Sequence, residues 1–362
     1  MKIIKQNLGI DVDSQTLKVS FQVLMSDLSI KIKGSRRFKN TLKGFQEIEE
    51  WLNKKRRSDL DVDITMEATG VYYENVAYYF ESKTTYSLHV VLPNTSKAYL
   101  KSLNLKSKTD EIDAKGLGQM GLERKLAIWK PMSTQMRELK KLVRERIRVQ
   151  REKTVVSNQL HAEQASYHPN SNSIKRYKQR IDFINKQIKN IEKELGQVVD
   201  KDPQLRQRID KVCTAKGIGF ITAIGIVAEY NGFILFNNRN QIVSFAGYDV
   251  IKNESGTSVR GKTKISKKGN SYVRQMLYMP AMSAARYEEH HKAYYSRIVN
   301  KTGLKMKGNV AIQRKLLLLI YTLFTKNVTY DPYHYLRTQK RVTQEANLII
   351  DQQTGEVLVR SS

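Results

Sequence analysis

The chain has 362 residues, 40% of them hydrophobic and 27% charged, a balance that excludes a disordered or fibrous protein and leaves room for two or three domains. Lys and Arg number 63 against 35 Asp and Glu, a net charge of +28, which points to a polyanionic partner. The single cysteine, Cys213, excludes a disulfide framework, and with no Cys/His spacing around it a zinc finger is excluded as well.

The amino terminus carries too short an apolar stretch for a secretory signal, and the longest later apolar run, Leu316 to Ile320 with its neighbours, falls well short of a membrane span. A cytoplasmic protein with no membrane partner is expected, and nucleic acid is the expected polyanion.

Along the first hundred residues, strand and helix patterns alternate. Ile3 to Val12 is largely apolar, as in a strand buried on both faces, and Leu17, Val19, Phe21 and Val23 alternate with polar residues. Ile30 and Ile32 suggest a third strand. A helical stretch with Phe45, Ile48 and Trp51 follows, then alternating Val62, Ile64 and Met66, and a short apolar run before Pro93. Three strands, a helix, a strand, a helix and a strand predict an α/β sheet covered by helices. Tyr72, Tyr73, Tyr78 and Tyr79 sit at spacings that suit a helix with one buried face, for core packing or for base stacking.

From about Ser133 to Gly196 there is one Pro and no internal Gly, so long helices are expected. Ile174, Tyr177, Ile181, Ile184, Ile188, Ile191 and Leu195 recur at steps of three and four, a heptad seam that fits a helical hairpin or a dimer-forming coiled coil. The polar break from Tyr167 to Ser173 supplies the turn. Arg144, Arg146, Arg148 and Arg151 form either a solvated face or a nucleic-acid track. A third unit opens near Asp210 with the stretch AKGIGFITA and ends near Phe324, and the chain beyond about Asp331 loses periodicity and is expected to be loose. The expected organisation is 1–130 as an α/β catalytic domain, 131–205 as a helical coiled-coil segment, 206–330 as a mainly helical domain, and 331–362 as a tail.

Acidic residues stand at the ends of predicted strands. Asp11 ends the first strand, Glu67 ends the fourth, and Asp110 and Asp113 share one face of a helix that Thr109 caps. Carboxylates from separate segments suit two-metal phosphoryl transfer, in which Mg²⁺ ions about 4 Å apart clamp the attacking and leaving oxygens of a phosphodiester, and Mn²⁺ satisfies the same ligands.

In the third unit, the Gly-x-Gly turn of KGIGFITA fits a helix-hairpin-helix, whose backbone N–H groups face a phosphate. Lys252, Arg260, Lys262, Lys264, Lys267, Lys268 and Arg274 lie among glycines and hydroxyl residues, a composition suited to a nucleic-acid strand passing across them.

The runs LGIDVDSQ, EATGVYYE and KTDEIDAKGL resemble the DEDD-type, RuvC-like, RNase H-like domain of the insertion-sequence-110 family of bacterial transposases. AKGIGFITA and SFAGYDVIKNESGTSVRGKTKISKKGNSYVRQML are similar to that family's C-terminal transposase domain, so the likeness spans roughly Lys2 to Phe324. The resemblance implies that Asp11, Glu67, Asp110 and Asp113 are catalytic metal ligands and that Ser255 is a nucleophile forming a covalent DNA intermediate in a composite site. Two departures accompany it: Asp13, Ser14 and Gln15 follow the first acid, making Asp13 a rival ligand, and GYDV lacks the usual proline, making Ser258 a rival nucleophile. It further implies donor and target DNA as partners, guidance by a structured bridge RNA, and a homodimer assembling into a homotetramer. Two alternatives stand beside it: a metal-dependent Holliday-junction nuclease without a serine intermediate, and a non-enzymatic accessory protein.

Overall fold

The computed structural model describes residues 1–104, 107, 109–251, 261 and 264–334, with the backbone alone of 254–255 and 259–260. The chain divides into two compact units, Met1–Pro131 and Met132–Ser362.

The first unit is built on β1 (Ile3–Val12), β2 (Thr16–Met25), β3 (Ile30–Lys39), α1 (Leu42–Asn53), β4 (Val62–Glu67), α2 (Glu74–Glu81), β5 (Tyr86–Val91), α3 (Pro93–Ser102) and α4 (Asp110–Glu123). The strands form one sheet in the order β3-β2-β1-β4-β5. β1, β2 and β3 run antiparallel in sequence, while β4 and β5 join β1 in parallel. This order and sense of strands is that of an RNase H-like domain. The three-strand meander and the following strands match the expected alternation; α3 was not expected. Pro93, read as the end of a strand, stands at the first position of that helix, where its missing N–H has no partner to lose.

The two faces of the sheet differ. On one face Leu8, Ile10, Leu17, Val19 and Ile64 pack with Phe45, Ile48 and Leu52 of α1 and Val76 and Phe80 of α2. The face toward α4 is polar and small where the sequence suggested an apolar strand. Asn7, Ser20, Gln22 and Thr65 are buried there, paired as Asn7 Nδ2 to Thr65 Oγ1 at 2.9 Å and Gln22 Nε2 to the Lys115 carbonyl at 2.7 Å. Such burial is tolerable because most of these groups find partners. The edge strand β3 keeps Lys31, Lys33 and Arg37 exposed, which discourages pairing with another chain.

In the second unit α5 (Thr134–Gln164) and α6 (Ser171–Asp200) form an antiparallel hairpin. Asn170 ends the turn by accepting hydrogen bonds from the N–H groups of Asn172 and Ser173. The expected seam divides along its length. Ile184 and Ile188 pack on Val156 of α5, Ile191 and Leu195 join a larger core with Leu139, Val143 and Ile147, and Ile174, Tyr177 and Ile181 are half-buried. The seam's partner is therefore the preceding helix of the same chain.

α7 (Pro203–Cys213), α8 (Phe220–Glu229), α9 (Arg239–Phe245), α10 (Ser271–Tyr287), α11 (Glu289–Thr302) and α12 (Lys305–Lys326) complete the unit. Between α9 and α10 run two short antiparallel ladders, β6 (Val250–Ile251) with β9 (Lys264–Ile265) and β7 (Glu254–Ser255) with β8 (Val259–Arg260). Segment 131–205 was expected to stand apart from 206–330. Instead Leu139, Val143 and Leu195 share one core with Ile224, Val227, Leu277 and Leu316, because α5 presents an apolar stripe to α8. Leu316 to Ile320 belongs to α12, and no described helix is long and apolar enough to cross a membrane. The tail from 335 onward lies outside the described residues.

Candidate active site

The acids gather at one end of the first unit's sheet. In the parallel pairing of β1 with β4, Ile10 stands opposite Met66, so the next residues, Asp11 and Glu67, leave adjacent strands side by side. Thr109 caps α4 by accepting from the Ile112 N–H, which starts the helix at Asp110 and sets Asp110 and Asp113 in its first turn. Carboxylates there also oppose the positive end of the helix dipole.

Small residues bring α4 down onto the sheet. A Cβ on Gly9 would collide with the Ala114 carbonyl oxygen and come within 2.7 Å of the Gly118 Cα. Gly118 lies against Gln22, and a Cβ on Gly121 would collide with Asn7 and Thr65. The glycines of DAKGLGQMGLE are therefore the seat that carries Asp110 and Asp113 to the end of β1.

Electrostatics report the result. The Asp11 carboxyl is pushed up to about 6, first by burial and then by the charges of Asp113, Asp110 and Glu67. Asp13 behaves differently: it is exposed, accepts from the Gln15 N–H at 3.2 Å, and those hydrogen bonds hold its carboxyl below the usual range. Asp13 thus serves the β1–β2 turn, and Asp11 is the member of the cluster.

The donor set suits a hard divalent cation, since carboxylate oxygens are hard ligands and Asp11 is raised by its acidic neighbours. The side chains nevertheless stand apart: among the described residues no three His, Cys, Asp or Glu side chains meet closely enough to hold an ion. Glu67 accepts from Ser96 Oγ at 2.6 Å, and Asp110 pairs with Arg37 at 3.7 Å.

Sequence reasoning did not single out Lys18 and Arg37. Asp11 stands opposite Lys18, and Lys18 opposite Arg37, so a cationic row crosses the sheet on the acid face. Their period-two placement on β2 and β3 carried the signal, once strand pairing was known.

In the second unit Ser255 lies in β7, opposite Val259. The side chains of Ser255 and Arg260, and the whole of Lys252, Ser258 and Lys262, lie outside the described residues. The stems of this segment are tied together: Ser266 Oγ donates to Asp249 at 2.9 Å, and Arg274 Nη1 donates to the Ala246 carbonyl at 2.7 Å. Arg274, expected on nucleic acid, thus spends hydrogen bonds on the loop's own backbone, while Lys264, Lys267 and Lys268 are exposed. The KGIGFITA stretch is the turn from α7 into α8, with Gly217 at φ +86° and Gly219 at the helix start, where no side chain caps α8.

Part of the expected arginine track points elsewhere. Arg144 makes a bidentate pair with Glu229 at 2.6 and 2.9 Å, and Arg146 pairs with Glu192 at 2.7 Å. The Glu229 side chain is fully buried and also accepts from Asn270 Nδ2 at 2.6 Å, while Asn270 Oδ1 caps α10. A lone Glu in an apolar helix carries no sequence sign of this. The tyrosines after Glu67 serve packing in part, with Tyr79 donating to Glu49 at 2.6 Å and Tyr78 edge-on to Trp129.

An RNase H-like sheet with Asp11 and Glu67 at the ends of adjacent strands, and Asp110 and Asp113 in the first turn of α4, is an acid arrangement suited to phosphodiester chemistry. Residues 8–169 match the DEDD_Tnp_IS110 transposase model, and residues 209–296 match the model of the IS116/IS110/IS902 transposase family. The pilin gene-inverting proteins of Moraxella bovis and Moraxella lacunata are each 27% identical over 329 residues, covering 90% of this chain and 98% of theirs. Among solved structures, T. thermophilus RuvC in complex with a Holliday junction substrate is 12% identical over 32% of this chain and 97% of its own, with a TM-score of 0.25. An Aquifex aeolicus member of the Ppx/GppA family is 9% identical over 94% of this chain and 98% of its own, with a TM-score of 0.21. The chain belongs to the IS110 family of transposases and is a DNA recombinase.

Proposed function

We propose that this recombinase excises and inserts a mobile insertion sequence, using the acids of the first unit together with Ser255 of the second, in the cytoplasm. The observation that carries the reading is the placement of Asp11 and Glu67 at the ends of paired parallel strands with Asp110 and Asp113 in the first turn of α4, whose charges raise the Asp11 carboxyl. Asp11, Glu67, Asp110 and Asp113 would hold Mg²⁺ or Mn²⁺, and a divalent cation bound there supplies Lewis-acid stabilisation of the charge that grows on phosphate oxygens.

Ser255 acts as the nucleophile. Its oxygen forms a bond to a phosphodiester phosphorus, one P–O bond to a sugar breaks, and the released sugar hydroxyl takes up the proton that the serine gives away. A hydroxyl on another strand then reverses the step, so the phosphodiester energy is conserved. The basic stretch with Lys252, Arg260, Lys262, Lys264, Lys267 and Lys268 neutralises strand phosphates. Recognition of donor and target DNA is delegated to a bridge RNA bound by a homodimer that assembles into a homotetramer, as the family resemblance implies. The same exchange inverts a segment when its two sites face each other in one DNA molecule, a reading favoured by relatives named as pilin gene-inverting proteins.

The test compares wild type, Ser255→Ala and Asp11→Ala in a cellular recombination assay between donor and target plasmids, with a parallel assay for a covalent protein–DNA adduct. Both substitutions are expected to abolish recombination, and Ser255→Ala to abolish the adduct. Normal recombination by Ser255→Ala without an adduct would leave a metal-dependent nuclease and overturn the serine.

A further inference from the structure

A groove of about 690 Å³ opens on the second unit at the foot of the segment that carries Ser255. Its apolar lining includes Met276, Tyr278 and Met279 of α10 and Met306 of α12, beside Val143 and Ile147 of α5. Three of these are unusually open, with Met279 66%, Met306 57% and Tyr278 38% exposed. Apolar side chains gathered in a concavity mark a binding site rather than the scattered exposure of an ordinary surface.

The rim carries the opposite character. Arg146, Lys267 and Arg274 line the groove, Arg146 paired with Glu192, and among the described residues no Asp or Glu lines it. Lys267 has φ +53°, in the left-handed region where glycine sits without strain and lysine does not. The turn is tight on both sides: Gly247, at φ +71°, accepts from the Lys267 N–H at 3.1 Å, and a Cβ there would lie 3.1 Å from the Lys267 carbonyl carbon. Lys267 forms no ion pair among the described residues. A strained backbone thus presents an exposed ammonium group where glycine would relieve the fold.

We propose that this groove holds one unpaired nucleotide of a single-stranded segment, its base against Tyr278 and the methionines and its phosphate on Lys267. Stacking on an aromatic ring tolerates any base, and methionine's flexible, polarisable side chain adapts to its shape. Among the described residues every charged side chain lining the groove is cationic, which favours an anion over a basic peptide. Strand exchange requires strands to leave one duplex before entering another, so an unpaired nucleotide beside the Ser255 segment is in keeping with the family's reaction. The proposal rests on the nucleic-acid role of this unit and is independent of the serine chemistry.

The test uses the full-length protein and fluorescence anisotropy with three probes: labelled oligo-dT, labelled oligo-U of the same length, and a blunt DNA duplex. Tyr278→Ala is expected to weaken single-strand binding roughly tenfold, the scale of one lost base stack, with duplex binding within about twofold of wild type, and Lys267→Gly to lose more on the strand than on the duplex. Lys267→Gly is also expected to melt no lower than wild type, since glycine removes the strain. Tighter wild-type binding of oligo-dT assigns the groove to a DNA strand and tighter binding of oligo-U to an RNA strand; either supports it. Single-strand binding unchanged in both variants overturns it, and so does an equal loss on strand and duplex. The binding assay involves no strand cleavage, so a failure of the serine assignment in the recombination assay leaves this result readable.

Discussion

Gly9 of β1 and Gly118 of α4 meet backbone to backbone: a Cβ on Gly9 would lie 2.7 Å from the Gly118 Cα. Neither side is a flexible side chain, so neither can yield. This contact seats the helix whose first turn carries Asp110 and Asp113 over the strand that ends in Asp11. Gly9→Ala is expected to destabilise the first unit by about 3 kcal/mol through overpacking, and to abolish recombination in the fraction that folds. Denaturant unfolding measures the first effect; a loss below about 0.5 kcal/mol would show that the close approach is not required.

Asp11 is a carboxylate held among carboxylates. Asp11→Asn keeps its shape and removes the repulsion, so at pH 7 it is expected to raise the melting temperature by roughly 2–4 °C for each kcal/mol relieved while abolishing recombination. Added Mg²⁺ or Mn²⁺ should raise the melting temperature of wild type and leave that of Asp11→Asn unchanged. Equal responses of the two proteins to the ion would remove Asp11 from the ligand set.

His89 of β5 reports a pH dependence of stability. Its Nε2 lies 3.5 Å from Asp63, its Nδ1 lies 2.9 Å from the Ala127 carbonyl oxygen, and Lys5 pairs with the same Asp63 at 3.1 Å. Burial works against the charged ring, but the Asp63 carboxylate and the Ala127 carbonyl outweigh it and raise the His89 value above its usual 6.5. A raised histidine contributes stability that is full below 6.5 and lost as pH rises through the folded value. The stability difference between wild type and His89→Gln should therefore be largest near pH 5.5 and shrink by pH 8.5. Thermal unfolding across that range checks it, and a gap that widens with pH would contradict the pairing.

Glu229 is the buried hub of the second unit, joined to Arg144 of α5 and Asn270 at the start of α10. Glu229→Ala removes the acceptor shared by Arg144 and Asn270 and is expected to destabilise by about 2–3 kcal/mol. Glu229→Gln retains an acceptor for both partners and should lose distinctly less. Chemical denaturation of the two variants decides it, and equal losses would assign the effect to packing alone.

The order of elements in the first unit was legible because alternation and helical spacing are properties of a short stretch of chain. Asp11 and Glu67 at strand ends, and Asp110 and Asp113 three apart after the capping Thr109, were legible for the same reason. The polar α4 face was not, because Asn7, Ser20, Gln22 and Thr65 are tolerated in the core only through hydrogen bonds to each other and to α4. α3 was missed because a proline stops a strand and starts a helix with equal ease. The arginines of α5 looked alike in sequence, and only the packing of α8 and α6 turned Arg144 and Arg146 toward acids.

The sequence by itself determined the kind of chemistry: hard acidic oxygens amid a large cationic excess, on segments whose local periodicity already specified their strands and helices. The tertiary structure alone decided which groups meet. Parallel pairing of β1 with β4, and a helix seated on glycines, bring acids far apart in the sequence, Asp11 and Asp113 among them, close enough to raise Asp11. Charge repulsion, burial and left-handed strain at Lys267 depend on distances and angles between remote parts of the chain, and no local pattern encodes them.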